Sequence, residues 1–169
     1  MKRVRVKAVP WNKKVALAAM ECGADALWVP PGWVSDVRKM GIIPVVAEDG
    51  DLKLGRDVIE KEVREKKDEE EIIALSFSKA VVVKGGDWTI IPLENLLSQA
   101  DHLFVEIDNL QEGRTAFAIL EKGVEGVVIN HPDPNAVRQI LLTLEEGTEK
   151  LGLLKARVKR IEPLGLAVC

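Results

Sequence analysis

The sequence predicts an α/β protein made of parallel βα repeats, arranged most simply as a TIM-barrel-like domain. Short apolar runs rich in Val and Ile recur along the 169 residues, and segments with the apolar spacing of a helix separate most of them. About eight of these runs can be strands, which is the number that closes a TIM barrel. A doubly wound open sheet is the alternative, because a count of strands does not show whether the sheet closes.

The predicted strands are either short apolar runs or stretches in which apolar and charged residues alternate. The strands are predicted at residues 3–9, 26–29, 42–47, 58–63, 80–83, 103–107, 126–129 and 153–161. Helices are predicted at residues 12–21, 33–40, 68–77, 93–100, 110–122 and 134–145. Residues 58–63 could instead open one long helix that reaches Phe77. The charged run at 60–71 is interpreted as a solvated surface, since long charge runs usually face water.

Composition narrows the class of protein. An apolar content of 47% with 30% charged residues is ordinary for one globular domain. The net charge of -3, with no basic stripe interleaved with aromatics, argues against a nucleic-acid partner. No apolar run approaches the ~20 residues that span a bilayer. Cys22 and Cys169 do not form a metal-type pair. We therefore expect a cytoplasmic protein without membrane association and without a metal.

The most informative segment follows the predicted strand at 80–83. It reads Gly85-Gly86-Asp87-Trp88-Thr89-Ile90-Ile91-Pro92-Leu93-Glu94-Asn95-Leu96. Connections from a strand to a helix are where α/β proteins usually hold their functional residues. In the simpler interpretation, Asp87 only caps the next helix and Trp88 only packs. Glu94 and Asn95 would then do no more than complete the first helical turn.

Polar residues at strand ends define a candidate site. If the strands are parallel, their carboxyl ends meet at one rim, where side chains can converge on one pocket. The residues predicted on this rim are Lys7, Trp11, Glu48, Asp49, Lys84, Asp87, Trp88, Glu106, Asp108, Asn130 and His131. Lysines paired with carboxylates are typical of acid–base catalysis. His131 also has a structural interpretation, because it lies in a turn-forming Asn-His-Pro-Asp-Pro stretch.

Other patterns weigh against particular sites. His102 begins a predicted strand and is therefore expected at the opposite rim. The tryptophans Trp11, Trp28 and Trp33 are dispersed and do not predict a base-stacking platform. The sequence contains no G-x-G-x-x-G or Walker loop, so any dinucleotide would be held in a non-Rossmann manner. The sequence contains no Cys/His cluster with metal-binding spacing and no G-x-S-x-G elbow, so it does not favour zinc hydrolysis or acyl transfer.

Three stretches resemble the archaeal-type (class II) 3-dehydroquinate synthases. Residues 87–96 match the family signature D-W-x-I-I-P-L-E-N-L. Residues 118–128 are similar to its A-x-x-I-L-E-K-G-x-D-G-V segment, with Glu125 in place of Asp, and residues 158–165 are similar to its V-T-x-V-E-P-x-G. The family continues with a further domain that this sequence does not contain. The resemblance therefore implies an N-terminal portion or a short relative, with an oligomer or a missing C-terminal domain as partner.

The resemblance also implies an activity in the alternative shikimate route to aromatic amino acids. Family members convert 2-amino-3,7-dideoxy-D-threo-hept-6-ulosonate into 3-dehydroquinate with NAD, by oxidative deamination and ring closure. On this hypothesis Asp87 or Glu106 is the base, and Lys7 or Lys84 is its electrostatic partner. Residues expected to bind or brace the amino sugar acid are Trp88, Glu94, Asn95, Asn130 and His131.

The same residues are compatible with two other classes of function. The first is a non-catalytic βα domain that binds a metabolite or a partner subunit through the same rim. The second is a small TIM-barrel aldolase or lyase in which Lys7 forms a Schiff base.

Overall fold

The structure, a computed structural model, describes residues 3–84, 96, 99–119 and 125–144. These residues form one sheet of eight strands in the order β4-β3-β2-β1-β8-β7-β6-β5, and every pairing is parallel. A parallel bridge between Leu54 and Val58 brings the two edge strands together, so the sheet nearly closes into a barrel. The TIM-barrel-like prediction is confirmed, and the open sheet is not observed.

Strands and helices alternate along much of the described chain. The strands are β1 (Arg3–Lys7), β2 (Ala26–Trp28), β3 (Val45–Ala47), β4 (Leu52–Lys53), β5 (Val58–Lys61), β6 (Ala80–Val83), β7 (Leu103–Ile107) and β8 (Gly126–Ile129). The helices are α1 (Lys13–Glu21), α2 (Val34–Met40), α3 (Lys66–Ser76), α4 (Leu110–Ile119) and α5 (134–144). No helix separates β3 from β4 or β4 from β5 in this described part of the chain.

Most predicted helices and strands that fall on described residues are confirmed, and the structure differs from the prediction at residues 52–66. The two-residue strand β4 was not predicted, because so short and half-exposed a strand has no periodicity to detect. Residues 58–61 are a strand and α3 begins only at Lys66, so the strand prediction is confirmed and the alternative of one long helix is wrong. The predicted strand at 153–161 and most of the predicted helix at 93–100 lie outside the described residues.

Two apolar layers lie on either side of the sheet. The outer layer packs strand residues such as Val4, Val6 and Leu27 against the helices. The inner layer fills the barrel and consists of Ala26, Trp28, Val46, Val58, Val82, Phe104 and Val128. Side chains alternate between these layers, because successive residues of a strand point to opposite faces. None of the helices in the described ranges is long and apolar enough to cross a membrane.

Asp51 ties the unpredicted strand β4 to its neighbours. Its Oδ2 accepts a hydrogen bond from the Val45 N–H at 2.9 Å, and its Oδ1 accepts one from Arg38 Nη2 at 2.8 Å. The backbone hydrogen bond from Val45, followed by the one from Arg38, lowers the pKa of Asp51 below its ordinary value of 3.8. The carboxylate thus holds the start of β3 beside the end of α2.

Asp51→Asn is expected to reduce the loss of stability in acid. Because the pKa of Asp51 is lower in the folded chain, its contribution is complete above about pH 3.8 and disappears as the pH falls through the folded value. Urea denaturation from pH 7 down to pH 2.5 measures this. The Asn variant should start less stable and lose less than the wild type, whereas Asp101→Asn, at an exposed position, should follow the wild-type curve. Parallel curves for Asp51→Asn and the wild type would contradict the assignment.

Candidate active site at the barrel mouth

Four polar side chains meet at the carboxyl ends of the strands and are called here the mouth cluster: Lys7, Glu60, Glu106 and Asn130. Lys7 Nζ lies 2.5 Å from Glu60 Oε2 and 3.2 Å from Glu106 Oε2. Asn130 Nδ2 donates to the other carboxylate oxygen of Glu106 at 3.4 Å. One ammonium group therefore contacts two carboxyl groups that are 46 residues apart in the sequence (106 − 60).

The mouth cluster is largely shielded from water. The side chains of Lys7 and Glu106 are only 11% and 10% exposed, and that of Glu60 is 26% exposed. Lys7 Nζ also lies 4.5 Å from the centre of the Trp28 ring, which forms part of the barrel interior beneath it. An aromatic face attracts a cation at this distance. The ammonium group is thus held from below by an indole and from the sides by carboxylates.

Opposing influences act on the pKa of Lys7. Burial is the largest and lowers the pKa, because a desolvated ammonium is disfavoured. The hydrogen bond to Glu60 and the negative charges of Glu106 and Glu60 act in the other direction and together outweigh burial. The net result is a pKa above the ordinary 10.5, so Lys7 is a cation at neutral pH.

Strand alternation explains why these residues converge. Glu60 pairs with Val82, and Glu106 pairs with Val128, both of which belong to the inner layer of the barrel. Residues paired side by side in a sheet point to the same face, so both glutamates point into the barrel. Each lies near the carboxyl end of its strand, which places its carboxylate at the mouth.

Glu60 is a candidate site residue that sequence reasoning missed. The interpretation of the charged run at 60–71 as a solvated surface is wrong for Glu60, whose carboxylate is half-buried and bound to Lys7. The signal that could have found it is the spacing from Val58, since residues two apart on a strand share a face. The later part of the run does lie at the surface, where Asp68 accepts the N–H groups of Arg64 and Glu65 at the start of α3.

The structure brings together three of the predicted site residues: Lys7, Glu106 and Asn130. Lys84 follows β6 on the same rim, and its side chain is exposed. His131 Nδ1 accepts the N–H of Asp133 at 3.0 Å, which is a local turn contact, and His131 also borders the cavity described next. The predicted residues that lie outside the described part of the chain are Asp87, Trp88, Glu94 and Asn95.

A cavity of about 240 Å³ adjoins the mouth cluster and shares Lys7 and Asn130 with it. Its wall includes Trp11, and Asn12 and His131 add polar groups. Pockets that bind small molecules are typically apolar with a few placed polar groups, and this lining has that character. The cavity therefore lies where a ligand would reach the charged groups.

Trp11 and Trp33, which the sequence analysis treated as dispersed, stack on each other. Their ring centroids are 4.8 Å apart and their planes differ by 8°. The pair lies beside the cavity, because Trp11 is part of its wall. This contact joins the loop after β1 to the start of α2, two segments that lie 22 residues apart (33 − 11).

The opposite end of the barrel contains the other described histidine. His102 precedes β7 and its Nδ1 contacts the carboxylate of Glu125, which precedes β8. This is the structural position at the amino ends of the strands that was predicted for His102. Over residues 3–84, 96, 99–119 and 125–144, no three His, Cys, Asp or Glu side chains form a group that could hold a metal ion.

Solved structures with the same barrel fold resemble this chain. Phosphoribosyl anthranilate isomerase from Thermotoga maritima superposes with a TM-score of 0.57 at 14% identity, over 86% of this chain and 100% of that chain. The enzyme of the same name from Thermus thermophilus gives 0.52 at 12% identity, over 85% and 98%. Likeness at this level of identity shows the barrel fold alone.

Comparison of sequences shows the family. Residues 1–144 match the family model described as the 3-dehydroquinate synthase II N-terminal domain. The chain is 41% identical to a 3-dehydroquinate synthase homolog of Aquifex aeolicus and 40% identical to a 3-dehydroquinate synthase of Methanoculleus marisnigri. Each alignment covers 98% of this chain and 50% of the relative, so the chain spans about half the length of these curated relatives. With a family match that extends over most of its length, the chain belongs to the 3-dehydroquinate synthase II N-terminal domain family.

Proposed function

We propose that this chain is the barrel part of an enzyme that forms 3-dehydroquinate from 2-amino-3,7-dideoxy-D-threo-hept-6-ulosonate with NAD, by oxidative deamination and ring closure. The observation that carries the proposal is the mouth cluster, in which a largely buried lysine contacts two glutamates at the carboxyl end of a barrel of this family. Active sites of TIM-barrel enzymes lie at that end.

The reaction makes specific demands on the protein. A base must remove protons from the amine nitrogen and from the methyl ketone carbon. Water must hydrolyse the imine left by hydride transfer, which releases ammonia and forms a new carbonyl group. A cation must stabilise the enolate that attacks this carbonyl group within the same molecule. A positive group must also bind the carboxylate of the substrate. Lysine and carboxylate side chains at one mouth are suited to all of these tasks.

In this proposal Lys7 supplies the cation. Its pKa lies above the ordinary value, so its charge is present at neutral pH, next to the place where an enolate oxygen would develop negative charge. The same property disfavours Lys7 as a general base or as a Schiff-base nucleophile, because both roles need the neutral amine. The charged state of Lys7 therefore supports the synthase proposal over the aldolase alternative.

Glu106 is the proposed base among the described residues. Its carboxylate is held by Lys7 on one oxygen and by Asn130 on the other, which fixes its direction at the mouth. Glu60 then serves to position Lys7 through the shorter of the two contacts. Asp87 remains the second candidate for the base, and the exposed Lys84 on the same rim is the proposed partner of the substrate carboxylate.

The residues at the cavity fit a nicotinamide cofactor. Trp11 offers an aromatic surface, and Lys7 and Asn130 offer N–H donors that suit the carboxamide of such a ring. When bound, NAD accepts the hydride that leaves the amine-bearing carbon of the substrate. The chain supplies the surface that holds the ring and the charged groups that handle protons.

The proposal is tested by supplying the amino sugar acid and NAD. The assay uses this chain alone and this chain joined to the remaining half of the Aquifex aeolicus relative, because the relatives are about twice as long. Reduced cofactor is followed by absorbance and 3-dehydroquinate by mass spectrometry. We expect both products at least from the joined protein. A folded joined protein that binds the amino sugar acid without forming either product would contradict the proposal and favour a non-catalytic binding domain.

Two glutamate variants separate the proposed roles. Glu106→Gln should lower kcat by about 100-fold or more, because it removes the base. Glu60→Gln should lower it less, since Lys7 keeps its contact with Glu106. Glu71→Gln, in an exposed ion pair with Lys61 on the outer side of the barrel, is the matched control and should leave kcat unchanged. Equal activity of Glu106→Gln and the wild type would remove Glu106 from the mechanism and leave Asp87 as the base.

A further inference from the structure

The stacked indoles at the mouth lie at the margin of the core and are only partly buried. Trp33 is 38% exposed, which makes it one of the exposed large apolar side chains of the described chain. Trp11 is half-buried and packs at the edge of the helix-facing core. An aromatic pair that remains partly open to solvent beside a cavity is a common arrangement for binding a planar ligand.

Trp11 contacts both Trp33 and the cavity. Trp33 covers one face of Trp11, with the ring planes only 8° from parallel. Trp11 is also part of the cavity wall, whereas Trp33 is not among the residues that line it. The part of Trp11 that lines the cavity is therefore surface that Trp33 does not cover. A flat ring that stacked on Trp11 from the cavity would extend the stack from two rings to three.

Both indoles are fixed by the starts of helices. Asn12, next to Trp11, accepts the N–H groups of Lys14 and Val15 and so caps α1. The amide of Asn12 also donates to the carbonyl oxygen of Pro132 at 3.2 Å, which ties this loop to the loop after β8. Trp33 is the residue before α2, and its carbonyl oxygen accepts the N–H of Val37. A surface held in this way loses little conformational entropy when a ligand binds.

We propose that Trp11, backed by Trp33, is the stacking wall for the planar heteroaromatic ring of the cofactor. Base–aromatic stacking needs no sequence fingerprint, so this wall could hold the ring in a chain that lacks the Rossmann glycine motif. Lys7 and Asn130 border the same cavity and can donate hydrogen bonds to a carbonyl substituent of the ring. The identification of the ring as part of NAD rests on the proposed function, whereas the stacking itself rests on the geometry of the two indoles.

Isothermal titration calorimetry tests the proposal, with NAD, nicotinamide mononucleotide and adenosine monophosphate as separate probes. Trp11→Ala should weaken binding of NAD by roughly 5- to 150-fold, the range for one stacked base. Trp33→Ala should weaken it by a smaller factor, since Trp11 loses its backing. Trp11→Phe keeps an aromatic face and should retain most of the affinity, which guards against loss of folding in the alanine variant. Phe77→Ala removes an exposed aromatic ring outside the cavity and should bind like the wild type.

The two fragments identify the stacked ring. If Trp11→Ala loses affinity for nicotinamide mononucleotide, the nicotinamide stacks on Trp11. If it loses affinity for adenosine monophosphate, the adenine stacks there. Either result supports the stacking wall. If the wild type binds NAD and both Trp11→Ala and Trp33→Ala bind it equally well, the wall is overturned while the proposed function stands. If adenosine monophosphate binds through Trp11 but NAD does not bind, the wall stands and NAD dependence is overturned. Binding of none of the probes to the wild-type chain, alone or joined to the remaining half of the Aquifex aeolicus relative, overturns both.

Discussion

Lys7→Met is expected to destabilise the folded chain by about 2–3 kcal/mol at pH 7. The variant leaves the carboxylates of Glu60 and Glu106 facing each other in a shielded site without their shared cation. Removing one partner of a buried ion pair costs about 3–5 kcal/mol, and the partial exposure of Glu60 reduces that figure. Equilibrium urea denaturation of the wild type and the variant measures the difference.

Lys61→Met is the matched control for this prediction. Lys61 Nζ also lies 2.5 Å from a glutamate oxygen, but its side chain is 31% exposed and that of its partner Glu71 is 44% exposed. Exposed ion pairs contribute about 0–1 kcal/mol. Equal losses in Lys7→Met and Lys61→Met would show that burial of the mouth cluster does not strengthen its ion pairs.

The difference in stability between the wild type and Lys7→Met should shrink at high pH. The pKa of Lys7 is raised in the folded chain, so its contribution is complete below the ordinary value of about 10.5 and is lost as the pH rises through the folded value. The wild type should therefore approach the stability of Lys7→Met only in strongly alkaline solution. At neutral pH the difference should be at its full size.

Lys7→Met should also reduce turnover by about 100-fold or more if the proposed function holds. A cation or donor that stabilises developing negative charge typically contributes about 10²–10³ in kcat. Lys7→Arg keeps the charge and should recover part of the activity. A fully active Lys7→Met protein would mean that Lys84 or a residue outside the described ranges supplies the positive charge.

Gly126→Ala is expected to destabilise the chain by about 3 kcal/mol or more. A Cβ atom at this position would overlap the carbonyl oxygen of Arg3 and lie 2.6 Å from its carbonyl carbon. Both are backbone atoms of the strand that pairs with β8, with Arg3 aligned to Gly126. The methyl group could fit only if β1 and β8 moved apart, and overpacking against a rigid backbone is among the more damaging kinds of substitution.

Gly41→Ala provides the comparison for this substitution. The added Cβ would meet only the flexible side chain of Met20, with Sδ at 3.4 Å, and the φ angle of 167° is extended backbone that any residue adopts. Its effect should stay within about 0.5 kcal/mol, as for most surface substitutions. Thermal unfolding of both variants separates the cases. A Gly126→Ala protein as stable as Gly41→Ala would show that β1 and β8 are not packed as closely as described.

Much of the barrel could be predicted from local sequence because each unit carries its own signal. The run at 80–83 is wholly apolar, as a strand covered on both faces must be, and the helix at 110–119 shows helical spacing of its apolar residues. The strand β4 has two half-exposed residues and depends on Asp51 and on pairing with β3. Its existence is a consequence of neighbours that no local window contains.

Some residues of the candidate site could also be predicted from the sequence, and others could not. Lys7, Glu106 and Asn130 could be placed at one rim because parallel strands present their carboxyl ends together. Glu60 could not be separated from the charges around it, since only pairing with β6 shows that it points into the barrel.

The sequence by itself determined the parallel βα class, the family and the rim on which the charged residues lie, because periodicity, motifs and strand direction are local properties of the chain. The tertiary structure alone decided that the sheet nearly closes, that Lys7 is shared by Glu60 and Glu106, and that Trp11 stacks on Trp33. The side-chain contacts among these join residues 22 to 99 positions apart (33 − 11 and 106 − 7). Their geometry depends on the twist and stagger of the whole barrel, which no short segment specifies.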